Sequence, residues 1–315
     1  MSLPGRRSGS RLLTLTFVFA TAGLTAACGD GAPSGDAVRG LVILSGDVGE
    51  TRLTIHASDD GTAREIDVPD RATAWVSGAP GGVVVATLAD GRLAIRDVEG
   101  DPSDAWRFVS PADDAQPAGS LLFGAASPDG SRVAALTLGA AGQFGLAVAD
   151  AGSGRSVVFP VEGEPVLTSP AWIDGDRVGV VVVDADLGGA VSFADVGSGD
   201  VTGGPGNVRA LAVSGDGSAI AWISTVDSRL YGSDASSWLA GQEVSALAIE
   251  APSADAVPGS FSLDARGERL AVVWEREDGR ALEIAVHRRT SDGWTVADRL
   301  DAPGGDPRAV VSWLR

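Results

Sequence analysis

The stretch ASPDGSRVAAL, Ala126–Leu136, places a Pro-Asp-Gly turn directly before a short apolar segment. Related stretches recur along the chain as VSGAPGGVVVATL from Val76, WIDGDRVGVVV from Trp172, VSGDGSAIAWI from Val213 and SLDARGERLAVVW from Ser262. Each copy is typical of a strand, a tight turn whose glycine adopts a backbone conformation that other residues resist, and a more apolar strand. The recurrence predicts a series of β-hairpins.

The spacing of these hairpins indicates a propeller. The turn glycines lie 42 to 50 residues apart, which is the length of one four-stranded blade; they are Gly82, Gly130, Gly175, Gly217 and Gly267. A second hairpin follows in several copies and supplies the two outer strands, from Leu146, Val191 and Leu282. A blade buries its faces only against neighbouring blades, so the repeats are expected to close into a ring.

The two ends of this repeat region are out of phase with the rest. LVILSG from Leu41 reads as a second strand and the segment from Thr51 as an outer hairpin, whereas PRAVVSWLR, Pro307–Arg315, reads as a first strand. The sequence therefore predicts an all-β, six-bladed β-propeller over residues 41–315, closed by pairing of its N- and C-terminal strands. Two segments rich in Asp, Ser, Ala and Pro are predicted to be loops, Glu99–Gly119 and Ala235–Pro258.

The N-terminal residues are typical of an export signal. Arg6, Arg7 and Arg11 precede the apolar run Leu12–Ala27, which is too short and too close to the terminus for a membrane span. Residues 1–27 are accordingly predicted to be a signal peptide. Residues 28–40 are small, polar and turn-rich, and are predicted to form a flexible tether.

The signal ends at LTAAC, where Ala26 and Ala27 stand before Cys28, the only cysteine of the chain. This segment resembles a bacterial lipobox. The resemblance implies cleavage before Cys28 and a diacylglycerol on its thiol, which would hold the protein on the extracytoplasmic side of the cell membrane as a lipoprotein. The alternatives are an ordinary cleaved signal with Cys28 incidental, or a buried structural thiol.

The repeats resemble those of TolB-like and WD-repeat-like propellers of bacterial envelopes, which read S-P-D-G followed by a small residue and an apolar strand. Ala126–Leu136 matches closely, while the other copies keep the turn and vary around it. The resemblance covers nearly the whole chain beyond the signal and implies the propeller fold. TolB carries an α/β domain ahead of its propeller, whereas here the tether leads into the blades, so the specific partners of that family are not carried over.

The histidine pattern does not favour catalysis or metal binding. The two histidines, His56 and His287, fall on different predicted outer hairpins, where they cannot share one site and are expected at the surface or packed between strands. No G-x-S-x-G nucleophile motif occurs. Asp129 directly precedes Gly130 and is interpreted as a turn residue. The sequence therefore predicts no catalytic residue, no metal ligand and no cofactor.

The eight tryptophans allow either carbohydrate stacking or core packing. Five of them fall at inner-strand positions of the repeat and are predicted to pack between blades: Trp75, Trp172, Trp222, Trp274 and Trp313. Trp106 and Trp238 lie in or beside the two predicted loops and are expected to make exposed contacts.

The net charge of −18 disfavours nucleic acid and anionic lipid surfaces as partners. Acidic residues recur in the loops predicted between second and third strands, on the face where most propellers bind. The predicted partner-binding residues are Asp184, Asp186, Asp227, Glu275 and Glu277, with Asp47, Glu50, Asp90 and Asp278 on the same rim. Such a rim suits a basic segment of a partner, a calcium ion, or no ligand at all if it only keeps the surface solvated.

Together these features predict a monomeric, membrane-anchored, extracytoplasmic propeller that binds another protein of the cell envelope and does not bind nucleic acid. The alternative is a carbohydrate-binding or hydrolytic propeller with its site in the central channel.

Overall fold

The computed structural model describes residues 40–314 except for short internal segments: 47–50, 57–62, 70–72, 80–81, 99–104, 110–119, 140–141, 154, 167, 184–187, 242–246, 277–279 and 302–308. The predicted signal peptide, Cys28 and most of the predicted tether lie outside the described residues. Within the described part, no helix combines the length and the apolar character that crossing a bilayer requires.

The chain forms six antiparallel sheets, the blades, whose innermost strands contact one another in succession around a central channel. From the channel outward, blades 1 to 3 contain the following strands: β25 (Ala309–Trp313), β1 (Leu41–Ser45), β2 (Arg52–His56) and β3 (Ala63–Ile66); β4 (Thr73–Ala79), β5 (Val83–Leu88), β6 (Leu93–Asp97) and β7 (Arg107–Val109); β8 (Ser120–Ala126), β9 (Arg132–Leu138), β10 (Phe144–Asp150) and β11 (Ser156–Pro160).

In blade 4 the inner strand is split, and both pieces pair with the second strand. Blades 4 to 6 contain β12 (Glu164–Pro165) and β13 (Ala171–Trp172), β14 (Arg177–Val183), β15 (Gly189–Asp195) and β16 (Val201–Gly206); β17 (Val208–Val213), β18 (Ala219–Ser224), β19 (Leu230–Asp234) and β20 (Leu247–Ala248); β21 (Ala256–Leu263), β22 (Arg269–Arg276), β23 (Ala281–Thr290) and β24 (Gly293–Asp301). A short helix, α1 (Ala235–Leu239), follows β19.

The ring closes in blade 1, where the first strand pairs with the last. Leu41 lies opposite Trp313 and Ser45 opposite Ala309 in an antiparallel register. The Leu314 N–H donates to the Gly40 carbonyl over 2.8 Å and extends this pairing by one residue. The prediction that both ends of the repeat region complete a single blade is confirmed.

The core consists of six apolar clusters, one at each contact between neighbouring blades. The cluster between blades 6 and 1, for example, joins Ile284 to Leu41 and Trp313. Second strands are covered on both faces by neighbouring blades, so they are continuously apolar rather than alternating. Every residue of Ala219–Ser224 is buried.

The recurring turns have the predicted backbone form in four blades, with φ between 65° and 82° at Gly82, Gly130, Gly217 and Gly267. Gly175 differs, since it does not adopt a positive φ. In its turn Asp174 accepts the backbone N–H groups of Asp176 and Arg177 instead.

The Asp129 carboxylate accepts the Ser127 hydroxyl over 2.6 Å and the Ser131 N–H over 3.0 Å. These bonds hold the pKa of Asp129 below its usual value, the Ser127 hydroxyl making the largest contribution. Asp129 therefore serves the turn, as predicted.

The two segments were predicted to be loops between or within blades, and that prediction was wrong for the part that forms strands and a helix. β7 lies in the first, while α1, β20 and the start of β21 lie in the second. The outermost strands here have three and two residues, and such short, partly exposed strands carry no apolar alternation that a sequence pattern can detect.

The expectation that Trp106 and Trp238 make exposed contacts was also wrong. Trp238 is only 5% exposed, because α1 brings its ring to 5.4 Å from the ring of Trp222. Trp106 is half-buried and donates its indole N–H to the Asp67 carbonyl over 2.8 Å.

Candidate functional site

The propeller has two faces, which the hairpins distinguish. The turn face carries the hairpins between first and second strands, with Pro128, Gly215 and Ala265. The loop face carries the hairpins between second and third strands, with Asp90 and Asp227. The inner strands of blades 2 to 6 end at the turn face, because each leads into its first hairpin. β25 ends there too, because it pairs antiparallel with β1, which runs toward the loop face.

A cavity of about 120 Å³ lies in the central channel toward the turn face. All six inner strands contribute to its wall, and Pro128, Gly215 and Ala265 of the turn face lie at one end. Among the residues that the structure describes, those that line this cavity are all uncharged. The inner strands contribute among others Trp75, Ala125, Trp172, Val213, Ser262 and Trp313. The channel therefore offers hydroxyl groups, indole groups and backbone rather than ionisable side chains.

Two of the lining tryptophans tie neighbouring blades together. The Trp172 N–H donates to the Ala125 carbonyl over 3.0 Å, and the Trp313 N–H donates to the Ser262 carbonyl over 2.9 Å. In each case the acceptor lies on the inner strand of the preceding blade. Both rings are nearly buried, at 6% and 3% exposed, so neither presents an open face for a sugar to stack on.

Trp75 is the third tryptophan of the cavity and is held differently. Its ring packs edge-on against Phe123, with centroids 5.3 Å apart, and its buried Nε1 has no hydrogen-bond partner in the described part of the chain. Phe123 itself has φ 53°, an unusual backbone conformation for a bulky residue. Trp75 is therefore the indole of the cavity whose donor is not used within the described protein.

On the loop face, Asp227 lies in the exposed hairpin between β18 and β19. Its carboxylate accepts the Tyr231 hydroxyl over 2.5 Å and the Arg229 N–H over 3.1 Å. The Tyr231 hydrogen bond holds the pKa of Asp227 below its usual value and raises the pKa of Tyr231. The neighbouring Val226 is 77% exposed. This hairpin thus presents an apolar side chain beside a fixed, ionised carboxylate.

The other predicted partner-binding residues are only partly described. Glu275 is half-buried in β22, and its carboxylate lies over Gly259 of β21, where an added Cβ would come within 2.3 Å of it. Glu275 therefore lies within its blade rather than in the hairpin. Asp184, Asp186 and Glu277 lie outside the described residues, between β14 and β15 and between β22 and β23.

The two histidines lie on third strands of different blades, His56 in β2 and His287 in β23. His287 is 2% exposed and packs near Trp274, and its burial lowers its pKa to about 4. The interpretation of His287 as a strand-packing residue is confirmed. Among the described residues, no group of three or more His, Cys, Asp or Glu side chains is placed to hold a metal ion.

The fold was compared with those of known proteins. No protein-family model matches the chain, and no curated protein matches its sequence. Solved structures do match. A TolB of Agrobacterium tumefaciens superposes with a TM-score of 0.57 at 17% identity, covering 87% of this chain and 98% of that one. TolB of Acinetobacter baumannii gives a TM-score of 0.61 at 15% identity, covering 87% of this chain and 66% of that one.

A nidogen/laminin complex structure gives a TM-score of 0.58 at 10% identity, covering 87% of this chain and 98% of that chain. The chain is therefore a six-bladed β-propeller of TolB-like fold, and the resemblance drawn from the repeats is confirmed at the level of the fold. At these identities the likeness defines the architecture alone.

The sequence did not single out Val226 or the unused donor of Trp75. Val226 had a usable signal, since an apolar residue within the turn-type stretch TVDSR is out of place in a solvated loop. Trp75 had none. It lies opposite Thr87 near the end of its second strand, whereas Trp172 and Trp313 lie opposite Val178 and Leu41 near the start of theirs, and the sequence does not show this difference in register.

Proposed function

We propose that this chain is a membrane-anchored, extracytoplasmic propeller that binds another protein of the cell envelope through its loop face, without a catalytic role. The observation that carries the proposal is the Val226–Asp227 hairpin. It places a 77% exposed apolar side chain beside a carboxylate that Tyr231 holds in position. An apolar contact next to a fixed charge suits a basic partner segment that also carries an apolar residue.

The fold supports this role in a general way. One of the matching propellers belongs to the structure of a nidogen/laminin complex. Two others are TolB proteins of bacteria. A closed ring of blades fixes the relative positions of the strand ends on one face before a partner arrives, which lowers the entropic cost of binding.

The anchor in this proposal is a lipid on Cys28. Its support is the lipobox resemblance of LTAAC after an apolar run and three arginines. The variant Cys28→Ser should move the protein from the membrane fraction to the soluble fraction of the producing cells. Equal membrane association of both forms would contradict the anchor and leave the propeller without an assigned location.

The partner is tested by affinity isolation of the acylated protein from solubilised membranes. Asp227→Asn removes the charge while it keeps an acceptor for Tyr231, and reversal to Arg at Asp184, Asp186 and Glu277 tests the remaining rim. Glu275 is left unchanged, because it lies within its blade. Each change should reduce recovery of the same partner several-fold. Glu268→Arg serves as the matched control, because it reverses an exposed charge on the turn face. A partner that is recovered equally from all variants contradicts binding by the loop face.

The alternative of a sugar-binding or hydrolytic channel has one feature in its favour, the unused N–H of Trp75 in the cavity wall. The nearly buried rings of Trp172 and Trp313 remove the stacking surfaces that such a site needs. Saturable binding or turnover of a glycan by the purified protein, lost in Trp75→Phe, would favour the channel over the loop face.

A further inference from the structure

Gly40 is the residue at which the chain enters the propeller, and it lies on the turn face. β1 begins at Leu41, which lies opposite Trp313 at the end of the inner strand β25. Because inner strands end at the turn face, Gly40 lies on that face too, and its carbonyl accepts the Leu314 N–H. The chain therefore enters the propeller on the turn face, one strand outward from the wall of the channel.

We infer that the turn face is directed toward the anchoring membrane and the loop face away from it. The inference rests on the proposed anchor at Cys28. It deepens that proposal by stating which surface each kind of partner can reach.

The length of the connecting segment carries the argument. Twelve residues lead from Cys28 to Gly40, and even when fully extended they span about 40 Å. To bring the loop face onto the bilayer, this segment would have to pass outward over β2 and β3, about 10 Å at the usual strand spacing. It would then have to run along the blade, about 23 Å for a seven-residue strand such as β9.

That path uses most of the available length before any residue reaches the lipid. Holding a segment so nearly extended lowers its backbone entropy, and the opposite orientation does not require this. The orientation with the turn face toward the membrane is therefore favoured.

Only part of the acidic charge of the turn face is paired with arginine. Asp176 pairs with Arg132 over 2.9 Å. Asp129 and Asp216 are held by serine hydroxyl and backbone N–H groups instead, and Glu268 is exposed. The turn face therefore keeps a negative charge, so it is expected to approach neutral headgroups more readily than anionic ones.

Two consequences follow for partners. The channel cavity opens toward the membrane side, so its access is limited to groups that lie between the propeller and the bilayer. The partner of the Val226–Asp227 hairpin approaches from the opposite side. Its basic binding segment therefore lies outside the anchoring membrane, at least one propeller height from the bilayer surface.

The orientation is measured by energy transfer from a labelled residue to acceptor-labelled lipid. Ser218→Cys and Val226→Cys are a matched pair, since both positions are exposed and they flank the two ends of β18. The probes differ in height by about 20 Å. In the acylated protein, reconstituted in vesicles, the thiol of Cys28 carries the lipid and only the introduced cysteine reacts.

The expected result is a several-fold higher transfer rate from position 218 than from position 226. Equal rates, or a higher rate from position 226, would overturn the inference while membrane binding itself persists. If the protein does not bind vesicles and Cys28→Ser changes nothing, the anchor has failed instead. Insertion of about 20 Gly and Ser residues before Gly40 provides a second test, because it should bring the two rates together.

Discussion

At the scale of single residues, the tryptophans of the cavity wall differ in whether their indole N–H is hydrogen-bonded. Trp172 and Trp313 donate their N–H groups to the preceding blade, whereas Trp75 does not. Replacement by Phe keeps an aromatic ring and removes the donor, so it separates hydrogen bonding from packing. A buried carbonyl that loses its donor costs about 1–3 kcal/mol.

We therefore expect Trp172→Phe to lower the free energy of unfolding by about 1–2 kcal/mol more than Trp75→Phe does. Urea unfolding followed by circular dichroism measures this difference. Trp313→Phe should behave like Trp172→Phe. Equal losses for all three variants would show that the blade-to-blade bonds contribute nothing to stability.

His287 provides a prediction on pH. Burial lowers its pKa to about 4, whereas the unfolded chain binds the same proton near pH 6.5. As the pH falls from about 6.5 to about 4, the unfolded state takes up a proton that the folded state does not, and stability is lost. The loss amounts to about 3 kcal/mol at most, and it is absent at neutral pH.

The variant His287→Phe, which keeps a ring beside Trp274, should flatten the stability profile between pH 6.5 and 4. Below about pH 4 both proteins should lose stability together. There the turn carboxylates whose pKa values are lowered, such as Asp129 and Asp216, become protonated. Parallel profiles for the two proteins throughout the range would contradict the role of His287.

At the scale of elements, contact between neighbouring blades depends on residues without a side chain. Gly189 begins β15, and a Cβ added there would lie 1.6 Å from the Val208 carbonyl of the next blade. Gly189→Ala should therefore push blades 4 and 5 apart and destabilise the protein by about 3 kcal/mol or more.

Gly175→Ala is the matched control for Gly189→Ala. It lies in the same blade, has no positive φ, and its Cβ would meet nothing within 4 Å. Its unfolding midpoint in urea should differ from that of the parent protein by no more than a surface substitution does, about 0.5 kcal/mol. Similar losses for both variants would mean that the approach of Val208 to Gly189 is not rigid.

The sequence was informative where elements repeat and uninformative where they do not. Inner hairpins such as Ala126–Leu136 carry a turn glycine and a buried second strand, and both are periodic signals. The outermost strands β7 and β20 are short and half-covered, so nothing in their composition distinguishes them from loops. The burial of Trp238 could not be predicted for a related reason. The helix α1 has only five residues, too few to show a helical pattern of apolar positions.

The candidate site, too, could be predicted only in part from the sequence. The sequence shows that the predicted hairpins are rich in acidic residues. It does not show that Tyr231 holds Asp227 in an exposed hairpin, whereas Glu275 lies over Gly259 within its blade. A sequence gives the order of charges along the chain. It does not give the direction in which a strand end projects.

At the scale of the whole molecule, stability depends on how the last strand is held. Val311 of β25 is 3% exposed; its N–H donates to Ser260 of blade 6, while Ser312 accepts the Gly78 N–H of blade 2. This one strand is thus bonded to blades 1, 2 and 6. Its failure should open the entire ring rather than fray one edge.

Val311→Asp should therefore abolish cooperative folding, since it buries a charge without a partner. Val296→Asp makes the same chemical change at a 44% exposed position of the outer strand β24 and should be tolerated. Thermal unfolding and size-exclusion chromatography compare the two. A folded, monomeric Val311→Asp protein would show that the ring does not depend on its last strand.

The pairing of Leu41 with Trp313 also determines when blade 1 can form during protein synthesis. The ribosome makes β1 at the start of the propeller and β25 at its end, so blade 1 stays incomplete until all the other blades have been synthesised. A contact between such distant positions forms slowly, because a very long loop must close first. The nascent polypeptide therefore cannot reach its closed fold until β25 has been synthesised, and until then the inner edge of β1 has no strand to pair with.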